Sequence, residues 1–348
     1  MKKLKLITLS VCLLLAGNSY AQFEKFLKGG ADDANLLLNN YMSPVLKGMG
    51  YGFNNGWYNT AKPHKSLGFD ITFAFNLAVV PDADKSFTFN PADYNITNVQ
   101  SGPTALPTVT GDNSTSVLEN IINNQDLDPN LPPGTTVLGT YNAPDGIGDD
   151  LSSYGLKKVA IPAPIIQAGI GIYKGTEIKI RWMPSINTSD VRFKYFGVGG
   201  LHSISQWLPV FKDIPVDISA FMGFTKISAA FAINSGNIAG ANQEATFDVN
   251  TLTYQLLVSA HVAVLTGYVG LGMDNFKSTF KMLGTYDVYP GQPLIPSITD
   301  PINLEQKGDG GFRTTMGARL KLAIITFHVD YTFREYNTLS FGLGFSFR

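Results

Sequence analysis

The end of the chain constrains the fold most. Leu339, Phe341, Leu343, Phe345 and Phe347 alternate with Ser340, Gly342, Gly344, Ser346 and Arg348. A period of two residues means strand. One face is wholly apolar and the other small or polar, which suits lipid outside and a wet or tightly packed lumen inside. Just upstream, Phe327, Val329, Tyr331 and Phe333 alternate with His328, Asp330, Thr332 and Arg334. A half-buried strand of a soluble sheet would show the same alternation. What separates the readings is the repeated pairing of a greasy face with charges behind it, and no amphipathic helices to cover the grease.

Further segments repeat the pattern. Leu67 to Val79 alternates apolar residues with Gly68, Asp70, Thr72, Ala74 and Asn76; Ile178, Ile180 and Trp182 alternate with Glu177, Lys179 and Arg181. Val191, Phe193 and Tyr195 alternate with Arg192 and Lys194, and Met316 to Ile324 is backed by Arg319 and Lys321. Tyr254 to Val264 supplies another greasy face. Several strands approach the ~9–11 residues that cross a bilayer at a tilt. The count is about ten passes, or twelve if 214–234 and 244–264 each turn back once. With the last strand ending in the periplasm, turns near Lys174, Thr266 and Ile324 fall inside, while 81–160 and 283–310 fall outside, as barrels of this kind require.

The start of the chain reads as an export signal. Lys2, Lys3 and Lys5 precede an apolar run from Ile7 to Ala16, and Ser19-Tyr20-Ala21 offers small residues for cleavage before Gln22. The one cysteine, Cys12, lies in that segment, so the expected mature chain has no thiol for a disulfide, nucleophile or metal site. Of the 26 basic residues, removing those three lysines leaves 23 against 27 acidic ones, a formal −4. That charge leaves no footprint for nucleic acid.

Two stretches depart from strand. Leu37, Leu38, Tyr41, Met42, Val45 and Leu46 have helical spacing within Asp32 to Met49, with Asp32 or Asp33 as cap and Pro44 expected to kink or end the helix. Residues 91–144 are rich in Asn, Pro, Thr, Asp and Gly and read as a mobile external loop with a short helix at 116–123.

The helical stretch, the segment FGVGGLHSISQWLPVFKDIPVDISAF and the ending YNTLSFGLGFSFR together resemble an uncharacterised family of Gram-negative outer-membrane β-barrel proteins. A second, weaker similarity is to the long-chain fatty-acid outer-membrane transporters, carried only by a helical segment ahead of a barrel. It implies an amino-terminal plug in the lumen. No ligand-contacting position transfers.

The fold expected is all-β, an antiparallel transmembrane β-barrel of about 10–14 strands with a short N-terminal helical segment. Residues 1–21 are the signal, 22–60 the helical plug segment and 61–348 the barrel, with a long external loop at 81–160. The lumen-facing candidates are Asp70, Glu177, Lys179, Arg181, Arg192, Lys194, Arg319, Lys321, His328, Asp330 and Arg334. They could line a pore or form ion pairs that fill a narrow barrel. His202, Ser203 and Ser205 lack the surroundings of a hydrolase nucleophile, and no enzyme activity is expected. His64, His261 and His328 have no metal-ligand spacing, and neither metal nor cofactor is expected. Trp57, Tyr58, Trp182, Tyr195 and Trp207 are candidates for interfacial girdles. The expected role is a passive pore or transporter for a small or apolar solute. The competing roles are a structural or adhesive protein with a closed lumen and, more distantly, a membrane-embedded lipid hydrolase. The expected partners are outer-membrane lipid, the barrel-assembly machinery and the solute.

Overall fold

In the computed structural model the described residues are 26–347, apart from 28, 128, 156–157, 189–190, 209–213, 234–238 and 289–296. Among them, ten antiparallel strands close a ring: β1 Phe69–Val79, β2 Ala160–Gly171, β3 Thr176–Asn187, β4 Val191–Ser203, β5 Val216–Ala232, β6 Ala239–Val262, β7 Leu265–Asp287, β8 Ile302–Leu322, β9 Ile325–Phe333 and β10 Thr338–Phe347. Each pairs with its sequence neighbours, and β1 closes on β10 from Phe69↔Phe347 to Ala78↔Thr338. Each strand thus pairs with two neighbours, as an apolar surround demands, although β2 and β3 pair only from Gln167↔Arg181 to Gly171↔Glu177 and part toward the long-loop end. The stretches 214–234 and 244–264 do not turn back. Each belongs to one long strand, so the smaller strand count holds.

The two ends of the ring differ. At one end β6 passes to β7 and β8 to β9 through two-residue turns, with Ala263 and Ala323 at φ 51° and 54° as tight hairpins require. At the other end lie residues 80–159 and the connection from β7 to β8. That second connection is shorter than the sequence suggests, because β7 runs on to Asp287 and β8 starts at Ile302. Residues 80–159 carry their own sheets, Ser86–Thr88 with Ala105–Pro107, and Thr97–Ser101 with Val117–Asn123 and Thr135–Asn142. Residues 117–123 are therefore strand and not the expected helix; a short helix follows at Asn124–Leu127. Cross-strand pairing satisfies a backbone that local composition marked only as polar.

The outer face of the ring has an apolar belt of limited height. On β6 it comprises Tyr254, Leu256, Val258, Ala260 and Val262, while further toward the long-loop end Glu244, Thr246, Asp248 and Asn250 point the same way. On β7 the belt ends after Met273, and Lys277 and Lys281 follow; on β8 it starts at Phe312, above which stand Glu305 and Lys307. The shorter β1, β9 and β10 stay within the belt. The tall strands thus have an apolar lower half and a polar upper half on the same face.

The interior is occupied. Helix α1, Gly30–Phe53, enters at the long-loop end, and residues 54–68 continue through the ring to β1 at the short-turn end. Leu37, Leu38, Tyr41, Val45, Leu46 and Met49 of α1 are buried in one core with wall residues that include Ile161, Phe193, Tyr195, Val249 and Phe276. The helix runs through Pro44 without ending there. Asp33 does not cap it either: its carboxylate accepts the N–H groups of Asn95, Ile96 and Thr97 at 2.8, 3.0 and 2.9 Å, tying α1 to the long loop after β1. Gly48 and Gly50 let the helix approach the wall, since a Cβ would lie 2.5 Å from Ile161 or 2.3 Å from the Phe276 ring.

The candidate functional site is an arginine collar on the plug

A helix ends with four carbonyls that lack intrahelical partners and with a partial negative charge. Helix α1 has no basic residue in its last turn. The barrel wall supplies the cations instead. Arg181 of β3 donates Nη1–H to the Phe53 carbonyl at 2.7 Å and Nη2–H to that of Asn55 at 2.6 Å. Arg313 of β8 donates Nη1–H to the Asn54 carbonyl at 3.2 Å and Nη2–H to the Asn55 side-chain oxygen. Arg334, just past β9, donates to the Tyr51 carbonyl. Asn76 of β1 completes the set, giving its amide N–H to Gly52 at 3.1 Å. Five successive carbonyls are therefore held from four strands or strand ends.

This collar is buried. Arg181 is 0% and Arg313 1% exposed. One carboxylate, Asp274 of β7, pairs with both Arg313 and Arg334. Arg181 has an aromatic neighbour instead, its guanidinium carbon lying 3.5 Å from the centre of the Trp57 ring, and Gln167 accepts from its Nε at 3.1 Å. Below the collar, Trp57, Tyr58 and Ala61 pack with Leu201, Phe221, Leu257 and Tyr268 across the lumen.

A second polar cluster lies near the short-turn end. The backbone N–H of His64 donates to Glu177 at 2.9 Å, its Nδ1 is 2.9 Å from the same oxygen, and its Nε2 is 3.0 Å from Ser346 Oγ. Lys179 Nζ lies 2.6 Å from Glu177 and 3.7 Å from Asp70. Residue spacing alone gave His64 no ligand partners, yet folding brings His64, Asp70 and Glu177 within metal-binding reach. The ammonium of Lys179 already stands where a cation would, so the cluster reads as an ion-pair knot fastening residue 64 to β1, β3 and β10. The neighbouring cavity, bordered also by Asn59 and Arg319, has room for about one water.

The sequence candidates divide clearly. Asp70, Glu177, Lys179, Arg181, Arg319, His328, Asp330 and Arg334 are buried on the inner side, and Lys321 reaches inward to Ser346 Oγ at 3.1 Å. His328 Nδ1 is 3.5 Å from the Asn59 amide, and Asp330 accepts from the Tyr268 hydroxyl at 2.9 Å. Arg192 and Lys194 are the corrections. They are exposed on the outer side, Arg192 paired with Glu244, while Phe193 and Tyr195 are buried inside. The upper lumen is filled by an apolar helix, so there the aromatic face belongs inside and the basic face meets water above the belt.

The girdle candidates divide the same way. Trp182 and Trp207 are exposed, whereas Trp57, Tyr58 and Tyr195 are lumen packing. His202 Nδ1 is paired with Thr176 Oγ1 at 2.7 Å and its ring packs on Trp207, while Ser203 and Ser205 bond to each other. Sequence reading missed Arg313, Asp274 and the receiving Asn54 and Asn55. A signal for Arg313 existed, because stepping back by twos along β8 from Arg319 reaches it.

A closed antiparallel ring threaded by its own amino-terminal segment defines the class as a plugged single-chain β-barrel. The chain belongs to the Family of unknown function DUF6588, which matches residues 1–347. Among solved structures it is similar to the attachment invasion locus protein Ail of Yersinia pestis at 6% identity, covering 81% of this chain and 98% of Ail with a TM-score of 0.26. It is also similar to the translocator domain of autotransporter NalP from Neisseria meningitidis, at 10% identity, 91% and 98% coverage and a TM-score of 0.28. The barrel is defined by the chain's own strand pairing. No curated protein matches the chain.

Proposed function

We propose that the protein is an outer-membrane β-barrel that acts as a gated passage, closed by its amino-terminal segment and opened when α1 leaves the collar. The belt of outward apolar residues supports the membrane location, and the two-residue turns at one end support assigning that end to the periplasm. The described residues of segment 22–60, from Phe26 onward, form the plug.

The observation that carries the gate is the collar. Buried charges are expensive, and well-packed apolar residues commonly fill a permanent core as well or better. A wall bearing Arg181, Arg313, Arg334, Lys179 and Arg319 suits a surface that meets water in a second state. The plug meets this polar wall through its own carbonyls, a contact that water or a solute can replace. Opening also uncovers the apolar wall around Phe193, Tyr195 and Phe276, so the apolar-solute reading concerns the outer half of the lumen only.

The test is single-channel recording in planar bilayers. The parent protein is expected to be silent at low voltage, and Gly50→Leu, which forces the helix from Phe276, to conduct in discrete steps. Steady conductance of the parent would refute closure by the plug. A folded but silent Gly50→Leu barrel would favour the second reading, a permanently closed structural or adhesive protein. That reading has its own support in the joint outer storey of α1 and residues 80–159, joined through Asp33.

A further inference from the structure

We infer that the collar is an anion site in which the carbonyl end of α1 stands in for the anion, so that the opened lumen prefers anions. This rests on the gated reading and adds the class of solute. Three guanidinium groups from three places around the ring converge on the carbonyl end of α1, across residues 51–55, and planar donor forks of this kind fit carboxylate, phosphate and similar oxyanions. What they hold instead is a row of backbone carbonyls, whose summed dipole amounts to roughly half a negative charge.

Charge is not balanced without the helix. Asp274 is the one carboxylate among the described residues that pairs with the collar, and it faces both Arg313 and Arg334. The next acid inward, Asp330, is engaged by the Tyr268 hydroxyl. Arg181 has no carboxylate partner among the described residues; its contacts are carbonyls, Gln167, Thr225 and the Trp57 face. Spare donors are also present. Arg313 Nε, Arg334 Nε and the Asn55 side-chain amide are buried with no hydrogen-bond partner among the described residues, beside two unpaired acceptors, Asn54 Oδ1 and Asp274 Oδ1. The helix end therefore leaves several buried donors unused, which a compact anion with several acceptor oxygens could engage. Rings of Arg or Lys facing a pore set anion preference.

The experiment uses the full chain. Gly50→Leu, with Gly48→Leu as an independent way of displacing α1 from Ile161, is recorded across a KCl gradient, after gel mobility has shown each barrel folded. The reversal potential should have the sign of chloride preference. Adding Arg181→Gln and Arg313→Gln to the same background should abolish that preference. Conductance without chloride preference, or a preference that survives both substitutions, would overturn the anion site and leave the gate standing. Folded barrels that stay silent with either glycine replaced would overturn the gate, and the anion site with it.

Discussion

At the scale of single residues, the side of the wall that a side chain occupies decides what a substitution there costs. Val329 is outward and exposed while His328 is buried inside. Val329→Arg should destabilise the barrel by roughly 2–4 kcal/mol, the cost of a basic residue near the bilayer midplane. His328→Gln keeps a polar group toward Asn59 and should cost far less. Reversible unfolding from lipid vesicles checks the pair, and equal losses would contradict the face assignment. Arg181 gives a second residue-scale expectation. Arg181→Met leaves the Phe53 and Asn55 carbonyls short of donors, a loss of about 1–3 kcal/mol. Hydrogen exchange should speed up in the last turn of α1, whereas unchanged exchange there would show that the arginine does not hold it. Period two made most of these side assignments legible. It failed at Arg192 and Lys194 because alternation reports that two faces differ and not which neighbour each face meets. On β4, Phe196 and Val198 share the side of Arg192 and Lys194, so one face changes character as the strand leaves the belt.

Among the elements, α1 is the part whose existence was readable and whose place was not. Its apolar spacing predicted a helix, but the partners that fix it lie far along the chain. Asn35 exchanges hydrogen bonds with Pro301 and Asn303, and Lys47 pairs with Asp84 and Glu335. Pro44 could stay inside because a packed helix tolerates a lost bond that would break an isolated one. The Lys47 latch carries a pH dependence. Burial lowers the pKa of its ammonium, yet Glu335 and Asp84 together leave it above the ordinary 10.5. A raised folded-state pKa means that the latch contributes fully below 10.5 and is lost as pH rises through the higher folded value. Proteolysis within α1 should therefore accelerate between mildly and strongly alkaline buffer in the parent. In Lys47→Met it should be fast throughout. A parent profile flat across that window would remove the latch from the account.

For the whole molecule, the direction of threading has a consequence. Asp33 and Asn35 meet the long loops, and His64 meets the knot beside the short turns, so the chain runs through the lumen from the long-loop end to the short-turn end before β1 begins, from outside to inside in the proposed orientation. An epitope inserted immediately before Phe26 should bind antibody on intact cells, and one placed in the turn at 263–264 should bind only after the outer membrane is permeabilised. The reverse pattern would invert the orientation. Ring closure was anticipated by strand parity and by the sorting of long and short connections. The collar was not, because it joins residues near positions 54, 181, 274, 313 and 334, and no local pattern records which strands meet across a lumen.

The central claim, that residues of the plug lie against the inner wall of a closed barrel, can be read with one cross-link. A Cβ on Gly52 would stand 3.9 Å from Ala78 Cβ on β1, within the ~3.5–4.5 Å that a disulfide spans, but 2.8 Å from Ala163 Cβ on β2, so both cysteine pairs are made in an Ala163→Gly background that clears the space. The one native cysteine, Cys12, lies in the expected signal segment. Gly52→Cys with Ala78→Cys should oxidise to a single intramolecular bond in outer membranes, and Gly52→Cys with the outward-facing Leu77→Cys should not. Cross-linking of the Leu77 pair, or none in the Ala78 pair of a folded barrel, would contradict the account.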